Sequence, residues 1–320
     1  MDSDDESFLY TGESSGNDIP RNVTHIKVNP SVKEIYGLAF RGCNQLRSVK
    51  LNDGLERIDG GAFRWCTSLT SIAIPSTVKV IGEEAFLGCE QLISVNLPPE
   101  GLERIATCAF SRCTSLERMN IPSTVKVIGT SAFIACCRLT NVEIREGVER
   151  IEKYAFEGCT SLKSICIPST IRVISGKTFC DCSQLETVEL LDGLERIDGR
   201  AFQECTSLER ISIPSTVNYI AEHAFDGCER LKEIKFCEEI EQLVKEASLH
   251  WWNSGVSGAS LRTYSFLTRR NIPARLYTFE EQTWKDNIHN MLQQIPVMIS
   301  SYDDNYFDSI ESQLSNYENL

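Results

Sequence analysis

The chain has 320 residues, of which 42% are hydrophobic, and a formal net charge of -13. This composition provides enough apolar residues for a buried core, and no run of about 18 apolar residues occurs that could span a bilayer. The charge is concentrated at the ends, because residues 1–18 carry six acidic and no basic residues and residues 303–320 carry five acidic and no basic residues. The rest of the chain is nearly neutral, which argues against nucleic acid and anionic membranes as partners.

The N-terminal segment, residues 1–18, is predicted to be an acidic, disordered tail. It has acidic residues where a secretion signal would have a basic stretch followed by an apolar run, so we expect the protein to be intracellular and cytoplasmic. Residues 19–36 follow and have the apolar positions of a degenerate first turn of the repeats that come next. These positions are Val23, Ile26, Val28, Val32 and Ile35.

A 23-residue period occupies the centre of the chain. A cysteine follows each phenylalanine of the period by three residues, a leucine by six, and two further apolar residues by nine and eleven. When such a chain coils, each column stacks on itself and buries a continuous core. Residues 19–243 are therefore predicted to form a solenoid of about nine 23-residue repeats. The phenylalanines are Phe40, Phe63, Phe86, Phe110, Phe133, Phe156, Phe179, Phe202 and Phe225, with one step of 24 residues after Phe86.

Each repeat is predicted to contain two short extended segments. The pattern Leu-x-x-Val/Ile-x-Leu/Ile indicates a strand, and strands of successive turns pair in parallel at about 4.8 Å, so nine turns form a sheet roughly 40 Å across. Val78 and Ile81 illustrate the columns that indicate the second segment. The sequence Ile-Pro-Ser-Thr at residues 74–77 fits a turn between the two, because proline cannot donate a hydrogen bond inside a ladder.

Two types of repeat alternate along the array, so a 46-residue pair was the unit of duplication. At the second extended segment, this alternation places opposite charges on neighbouring turns, where like charges would be destabilising. We interpret this column as structural. It reads Glu56, Lys79, Glu103, Lys126, Glu149, Arg172, Glu195, Asn218 and Glu241.

Beyond Phe236 the repeat pattern ends and apolar residues take helical spacing, as in Ile240, Leu243 and Val244. Residues 244–302 are predicted to form a helical C-terminal cap, and residues 303–320 an acidic C-terminal helix or tail. Two roles for these helices remain open. They pack on the end of the solenoid, or one of them docks a partner through its apolar side.

The repeat unit points to a known family. From Leu69 to Cys89 the chain reads Leu-x-x-Ile-x-Ile-Pro-Ser-Thr-Val-x-x-Ile-Gly-x-x-Ala-Phe-x-x-Cys, which closely resembles the BspA-like leucine-rich repeats, and the resemblance covers residues 24–243. It implies a curved solenoid with a binding role, as in bacterial surface adhesins, and it carries over no catalytic residues. The predicted fold is a repeat solenoid, a right-handed leucine-rich-repeat coil with a parallel β-sheet, followed by a small α-helical C-terminal cap.

The chain has 14 cysteines, nine of which belong to the repeat column. Zinc sites use local pairs of ligands, so the 23-residue spacing favours reduced thiols that act as small buried hydrophobic groups. The neighbours Cys136 and Cys137, and the pair Cys180 and Cys182, remain redox candidates. Lys177 lies in a Gly-Lys-Thr sequence that lacks the earlier glycine of a phosphate-binding loop. We therefore predict no catalytic residue, no cofactor and no bound metal.

The predicted function is a non-enzymatic, monomeric scaffold that binds an unidentified protein partner through the variable, exposed positions of the main sheet. The alternative is a cell-surface adhesin whose secretion signal is absent from this chain. The candidate binding positions are Arg47, Ser48, Lys50, Thr70, Ser71, Glu117, Arg118, Asn120, Thr140, Asn141, Glu143, Glu186, Glu189, Glu209, Arg210 and Ser212.

Overall fold

A computed structural model describes residues 7–12, 19–217, 219–221 and 223–236. Within these ranges each repeat contributes two short strands, and all strand pairs are parallel. The predicted parallel solenoid of about nine turns is confirmed. The predicted C-terminal cap, residues 244–302, and the acidic segment 303–320 lie outside the described residues. Of the residues that the structure describes, none belongs to a helix long and apolar enough to cross a bilayer.

The first sheet contains the strand that was predicted from the leucine and isoleucine columns. It has nine strands and ends at Leu190, beyond which two further strands form a separate pair. The nine strands are β1 (Phe8–Tyr10), β2 (His25–Val28), β4 (Ser48–Lys50), β6 (Ser71–Ala73), β8 (Ser94–Asn96), β10 (Arg118–Ile121), β12 (Asn141–Ile144), β14 (Ser164–Ile167) and β16 (Thr187–Leu190), and the pair is β18 (Arg210–Ile213) and β20 (Glu233–Phe236).

The second sheet confirms the second extended segment of each repeat. It has nine strands of two residues each, joined to the first sheet by turns such as that at Ser76 and Thr77, where the Val78 amide donates to the Pro75 carbonyl at 3.1 Å. Its strands are β3 (Glu34–Ile35), β5 (Arg57–Ile58), β7 (Val80–Ile81), β9 (Arg104–Ile105), β11 (Val127–Ile128), β13 (Arg150–Ile151), β15 (Val173–Ile174), β17 (Arg196–Ile197) and β19 (Tyr219–Ile220).

The nine phenylalanines of the period form one continuous stack in the core. The ring of Phe133 lies 5.4 Å from that of Phe110 and 5.2 Å from that of Phe156, with interplanar angles of 8° and 2°. Eight of the nine are fully buried, and Phe225 at the end of the stack is 7% exposed. Because each ring covers the next, the stack seals the core along the array.

The described residues 7–12 correct the prediction of a disordered tail over residues 1–18, whose other residues lie outside the described part of the chain. Phe8–Tyr10 forms strand β1, which pairs with β2 in the register Phe8 to Ile26. Tyr10 is fully buried, and its ring meets the edge of Phe40 at a centroid distance of 5.0 Å. An end of a solenoid exposes core unless something covers it. The strand provides that cover because its alternating aromatic residues extend the stack by one ring.

A left-handed backbone conformation occurs on both sides of each phenylalanine. Two residues before Phe133, Ser131 has φ of 55°, and two residues after it, Ala135 has φ of 59°. Between these positions the Phe133 amide donates to the Ala155 carbonyl of the next turn at 2.8 Å. Non-glycine residues occupy left-handed backbone at a cost. Many turns have non-glycine residues at these positions and are destabilised accordingly. In one turn, Gly158 takes the position two residues after the phenylalanine without this cost.

Two reciprocal substitutions test this conformation at one column. Gly158→Ala should lower the free energy of unfolding by about 1–2 kcal/mol, because alanine is strained at positive φ. The nearest atom to a new Cβ there is the Cα of Ala135 at 3.6 Å, so no clash contributes. Ala135→Gly should raise the free energy of unfolding by up to about 1 kcal/mol. Urea denaturation measures both, and changes of the same sign would contradict this explanation.

The alternating charge column of the second sheet forms ion pairs between turns, as predicted. Lys33 pairs with Glu56 at 3.2 Å and Lys126 with Glu149 at 3.3 Å. Two further pairs join Lys79 to Glu103 and Arg172 to Glu195. These side chains are mostly exposed, so each pair contributes little by itself.

A graded series tests whether this charge column is structural. Replacing Lys79, Lys126 and Arg172 together by Gln removes three pairs, and replacing them by Glu also places like charges on adjacent strands. We expect the Gln variant to lose about 1 kcal/mol of unfolding free energy and the Glu variant about 1–3 kcal/mol. High salt should reduce the difference between the two variants. Equal melting temperatures of wild type and the Glu variant would show that the column has no structural role.

Candidate functional site

The exposed side of the first sheet is the candidate site, and we call it the sheet face. Along each strand the side chains alternate between core and solvent, as in β10, where Met119 and Ile121 are buried and Arg118 and Asn120 are exposed. From β4 onward, the residue before each strand, such as Glu117, is also exposed. Each turn therefore contributes three exposed positions to the sheet face.

All 16 predicted binding positions are exposed. Parallel register brings several of them side by side, with Arg118 opposite Asn141, Asn120 opposite Glu143, and Ser48 opposite Ser71. The positions before the strands align as well, since the Thr140 amide donates to the Glu117 carbonyl at 2.9 Å. A surface of variable polar side chains thus crosses the sheet.

The structure departs from a single continuous sheet at its C-terminal end. Strand β18 pairs with β20 in a separate two-stranded sheet, whereas the large sheet ends at β16. Three predicted positions, Glu209, Arg210 and Ser212, belong to this smaller pair or directly precede it. The sequence columns did not indicate this break because the apolar pattern continues unchanged through it.

The sheet face is not uniform in charge. Its N-terminal end carries His25 and Lys27 on β2 and Arg47 and Lys50 at β4, all exposed, with Lys27 directly opposite Lys50. We call Lys27, Arg47 and Lys50 the basic patch. Sequence analysis missed His25 and Lys27, because the first turn lacks the phenylalanine and cysteine of the period. The 23-residue spacing from Lys27 to Lys50 is the signal that identifies them.

The centre of the sheet face is nearly free of charge, and the later turns are richer in acid. The central strands expose Ser71, Ala73, Ser94 and Asn96, and beside them Ile93 is 47% exposed. Further along the sheet face the exposed side chains include Glu143, Glu186 and Glu189. Among its described positions the sheet face has no tryptophan or tyrosine, the usual anchors of binding hot spots.

The cysteine column confirms the prediction of buried thiols and adds a hydrogen bond. Each column thiol from Cys66 to Cys228 donates a hydrogen bond to the backbone carbonyl of the stacked phenylalanine in the preceding turn, from Cys66 to Phe40 through Cys228 to Phe202. The Cys136 Sγ, for example, lies 3.2 Å from the Phe110 carbonyl oxygen. Burial raises the pKa of the Cys89 thiol to about 12. From Cys66 to Cys205, the column therefore consists of protonated thiols that connect neighbouring turns.

Three of the four redox candidates, Cys136, Cys180 and Cys182, are not activated thiols. The Cys136 thiol belongs to the buried column, and burial raises its pKa. The Cys182 thiol donates to the Phe156 carbonyl at 3.3 Å. Burial, followed by a hydrogen bond to Asp181, raises the pKa of the Cys180 thiol to about 12. Since the thiolate is the reactive form, these groups are poor nucleophiles at neutral pH.

One group of metal-type ligands occurs among the residues that the structure describes. It consists of Glu157, Cys180 and Asp181, whose ligand atoms lie within 4.8 Å of one another. The Cys180 thiol donates to Asp181, and the Lys177 ammonium lies 3.8 Å from Glu157. Burial raises the pKa of Glu157. The Asp181 carboxylate therefore accepts a hydrogen bond from the Cys180 thiol, and the Glu157 carboxylate is paired with the Lys177 ammonium. Sequence analysis missed the group because Glu157 and Cys180 are one full turn apart.

Two parallel sheets joined by short turns, with a phenylalanine and cysteine column in every turn, define a leucine-rich-repeat solenoid. Solenoids of this class typically act as binding scaffolds, using the extended surface that their repeats create. The chain belongs to the BspA-type leucine-rich repeat family, whose model matches residues 19–137 and 128–249 in six copies. No curated protein matches the chain.

The chain is also similar to solved bacterial leucine-rich-repeat structures. A leucine-rich cell surface protein from Faecalibacterium prausnitzii is 28% identical, with 68% of this chain and 74% of that chain covered and a TM-score of 0.40. A leucine-rich repeat protein from Bacteroides ovatus is 25% identical, with coverage of 69% and 81% and a TM-score of 0.30. The pneumococcal vaccine antigen PcpA is 23% identical, with coverage of 72% and 65% and a TM-score of 0.47.

Proposed function

We propose that this protein is a non-enzymatic scaffold that binds a protein partner through the sheet face. The supporting observation is the contrast between columns of one array. The buried column has phenylalanine in all nine repeats, whereas the exposed column just before the strands changes from turn to turn, as in Arg47, Thr70, Ile93 and Glu117. The fold needs only the buried columns, so the exposed ones are free to differ and to provide specificity.

The proposed location is the interior of the cell, with the protein as a monomer. The 13 cysteines of the described residues are free thiols. Disulfides form and persist in oxidising compartments, so a column of protonated thiols favours a reducing one. This observation favours an intracellular scaffold over the cell-surface adhesin. Cell fractionation distinguishes the two, because recovery of the native protein in the surface fraction would exclude the intracellular role.

Capture experiments with matched full-length variants test the binding role. The face variant has Asn96→Arg, Asn120→Arg and Asn141→Arg, all at exposed positions of the sheet face. The control variant has the same added charge at three exposed positions outside that face. Its substitutions are Asn44→Arg, Gln91→Arg and Gln184→Arg.

We expect wild type and the control to enrich the same protein from a native lysate and the face variant to lose that protein at least tenfold. The face variant should melt slightly lower, because position 141 lies opposite Arg118, and both variants should remain folded at the assay temperature. Retention of the protein by the face variant, or equal loss from both variants, would contradict binding through the sheet face.

A further inference from the structure

The basic patch places like charges side by side, and no compensating charge is found among the described residues. Lys27 on β2 lies directly opposite Lys50 on β4, and Arg47 precedes β4. Among the residues that the structure describes, none of these three cations has a carboxylate within ion-pair distance. Like charges directly opposite each other destabilise a sheet. The arrangement therefore weakens the fold locally, and folding alone gives no reason for it.

Several other cations of the array are paired with carboxylates. On the sheet face, Arg145 lies 3.3 Å from Glu143, and Lys232 lies 3.9 Å from Glu209. In the second sheet the sign alternates from turn to turn, as the pair of Lys33 and Glu56 shows. An uncompensated pair of lysines on adjacent strands is an exception to the pattern of this chain.

The surroundings of the basic patch can accept an extended chain. The neighbouring positions Ser48, Ser71, Ala73 and Ser94 are small and exposed, and over strands β1 to β8 the sheet face has no carboxylate among the described residues. Exposed Leu9, opposite Lys27, adds an apolar contact at the edge. The patch is thus a flat, positive surface without bulky obstacles.

Resting on the proposed function, we propose that the basic patch binds a short, extended, acidic peptide segment of the protein partner. Neighbouring strands place Lys27 and Lys50 about 5 Å apart, and three residues of strand place Arg47 about 10 Å from Lys50. Carboxylates two or three residues apart in an extended peptide have a spacing of about 7–10 Å, which long basic side chains reach. The contacts are charge-assisted hydrogen bonds, including the fork of Arg47.

Fluorescence anisotropy with a defined probe tests this proposal on the full chain. The probe is a fluorescein-labelled ten-residue peptide in which Glu and Ser alternate, and a peptide with Gln in place of Glu is its control. The patch variant has Lys27→Asn and Lys50→Asn, since asparagine occupies this column at Asn96 and Asn120. Arg104→Val with Arg150→Val removes the same charge from the second sheet, outside the sheet face, and uses the residue type found in that column at Val80 and Val127.

We expect the patch variant to raise the Kd of the Glu peptide at least tenfold and the Arg104→Val, Arg150→Val variant to change it less than twofold. Added salt should weaken binding to wild type, because the contacts are ionic. Equal binding of the Gln peptide, equal losses in both variants, or tighter binding of a ten-residue oligothymidylate than of the peptide would overturn the proposal.

The outcome is distinguishable from a failure of the proposed function. The capture experiment uses substitutions at Asn96, Asn120 and Asn141, away from the basic patch. If those substitutions remove the partner and the Glu peptide does not bind, the sheet face binds a protein but the acidic-peptide proposal is wrong. If the Glu peptide binds the patch and the capture variants have no effect, the patch is an anion site and the wider sheet face has no role.

Discussion

Raising the pH from 8 to 10 should unfold this protein in a steep transition. Burial raises the pKa of seven thiols in the cysteine column above their ordinary value of 9.0, and that of Cys89 reaches about 12. In the unfolded chain these thiols ionise near pH 9, whereas in the folded chain they stay protonated. The folded state therefore binds more protons in this range, so its stability is fully present below pH 9 and falls as the pH rises.

The expected effect is large because the thiols act together. One pH unit above the unfolded pKa corresponds to about 1.4 kcal/mol for each thiol that stays protonated in the folded chain. The six thiols other than Cys43 have the pKa values that are raised furthest, and together they remove roughly 8 kcal/mol by pH 10. A loss of this size equals the whole stability of many domains. Circular dichroism combined with urea denaturation at several pH values measures it.

A matched variant isolates the thiols from other groups that titrate in this range. Cys89→Ala, Cys113→Ala and Cys136→Ala remove three of these six thiols, so the loss of unfolding free energy per pH unit should fall by about half. This comparison uses the slope with pH and not the absolute stability, which the alanines also lower. An unchanged slope would show that the column thiols are not the source of the alkaline instability.

Removal of one ring from the centre of the stack should strongly destabilise the protein. Phe133→Ala should lower the free energy of unfolding by about 3–5 kcal/mol, because the ring is fully buried and has a stacked neighbour on both sides. The cavity lies between two turns and interrupts the contact on which a solenoid depends. Urea denaturation followed by circular dichroism measures the loss.

Two comparisons test that explanation of the Phe133→Ala effect. Phe133→Leu should cost clearly less, since leucine fills more of the cavity. Phe225→Ala should also cost less, because Phe225 stacks on Phe202 at the end of the described column and is not fully buried. If Phe225→Ala were as damaging as Phe133→Ala, position within the stack would not determine the loss.

The repeated parts of the fold could be predicted from sequence, because each column has the same kind of residue in every repeat and so indicates the same environment each time. A coil with one turn per repeat stacks all nine phenylalanines and all nine cysteines in the core, because each set has one spacing. The ion pair of Lys126 and Glu149 followed from the same reasoning, since a 23-residue offset places their turns side by side. Features that repeat at a fixed period can therefore be predicted from the sequence alone.

The features that sequence analysis missed are those that break the period. Tyr10 completes the aromatic stack from 30 residues before Phe40, and its acidic surroundings indicated disorder. Left-handed backbone at Leu38 and Trp65 gave no signal, because such conformations ordinarily select glycine. Lys27 was missed because the spacing to Lys50 acquires meaning only when the two strands pair. Each of these features depends on contacts between turns, which local sequence patterns do not indicate.

Photo-crosslinking tests the central claim, binding through the sheet face, most directly. A benzophenone amino acid replaces Asn141 on the sheet face in one full-length protein and Arg150 on the second sheet in another, and both are expressed in the protein's own cells. Both positions are exposed, and the probe captures only what lies against it. We predict a covalent adduct with another protein from position 141 and none from position 150. An adduct from position 150 alone, or from neither position, would contradict the claim.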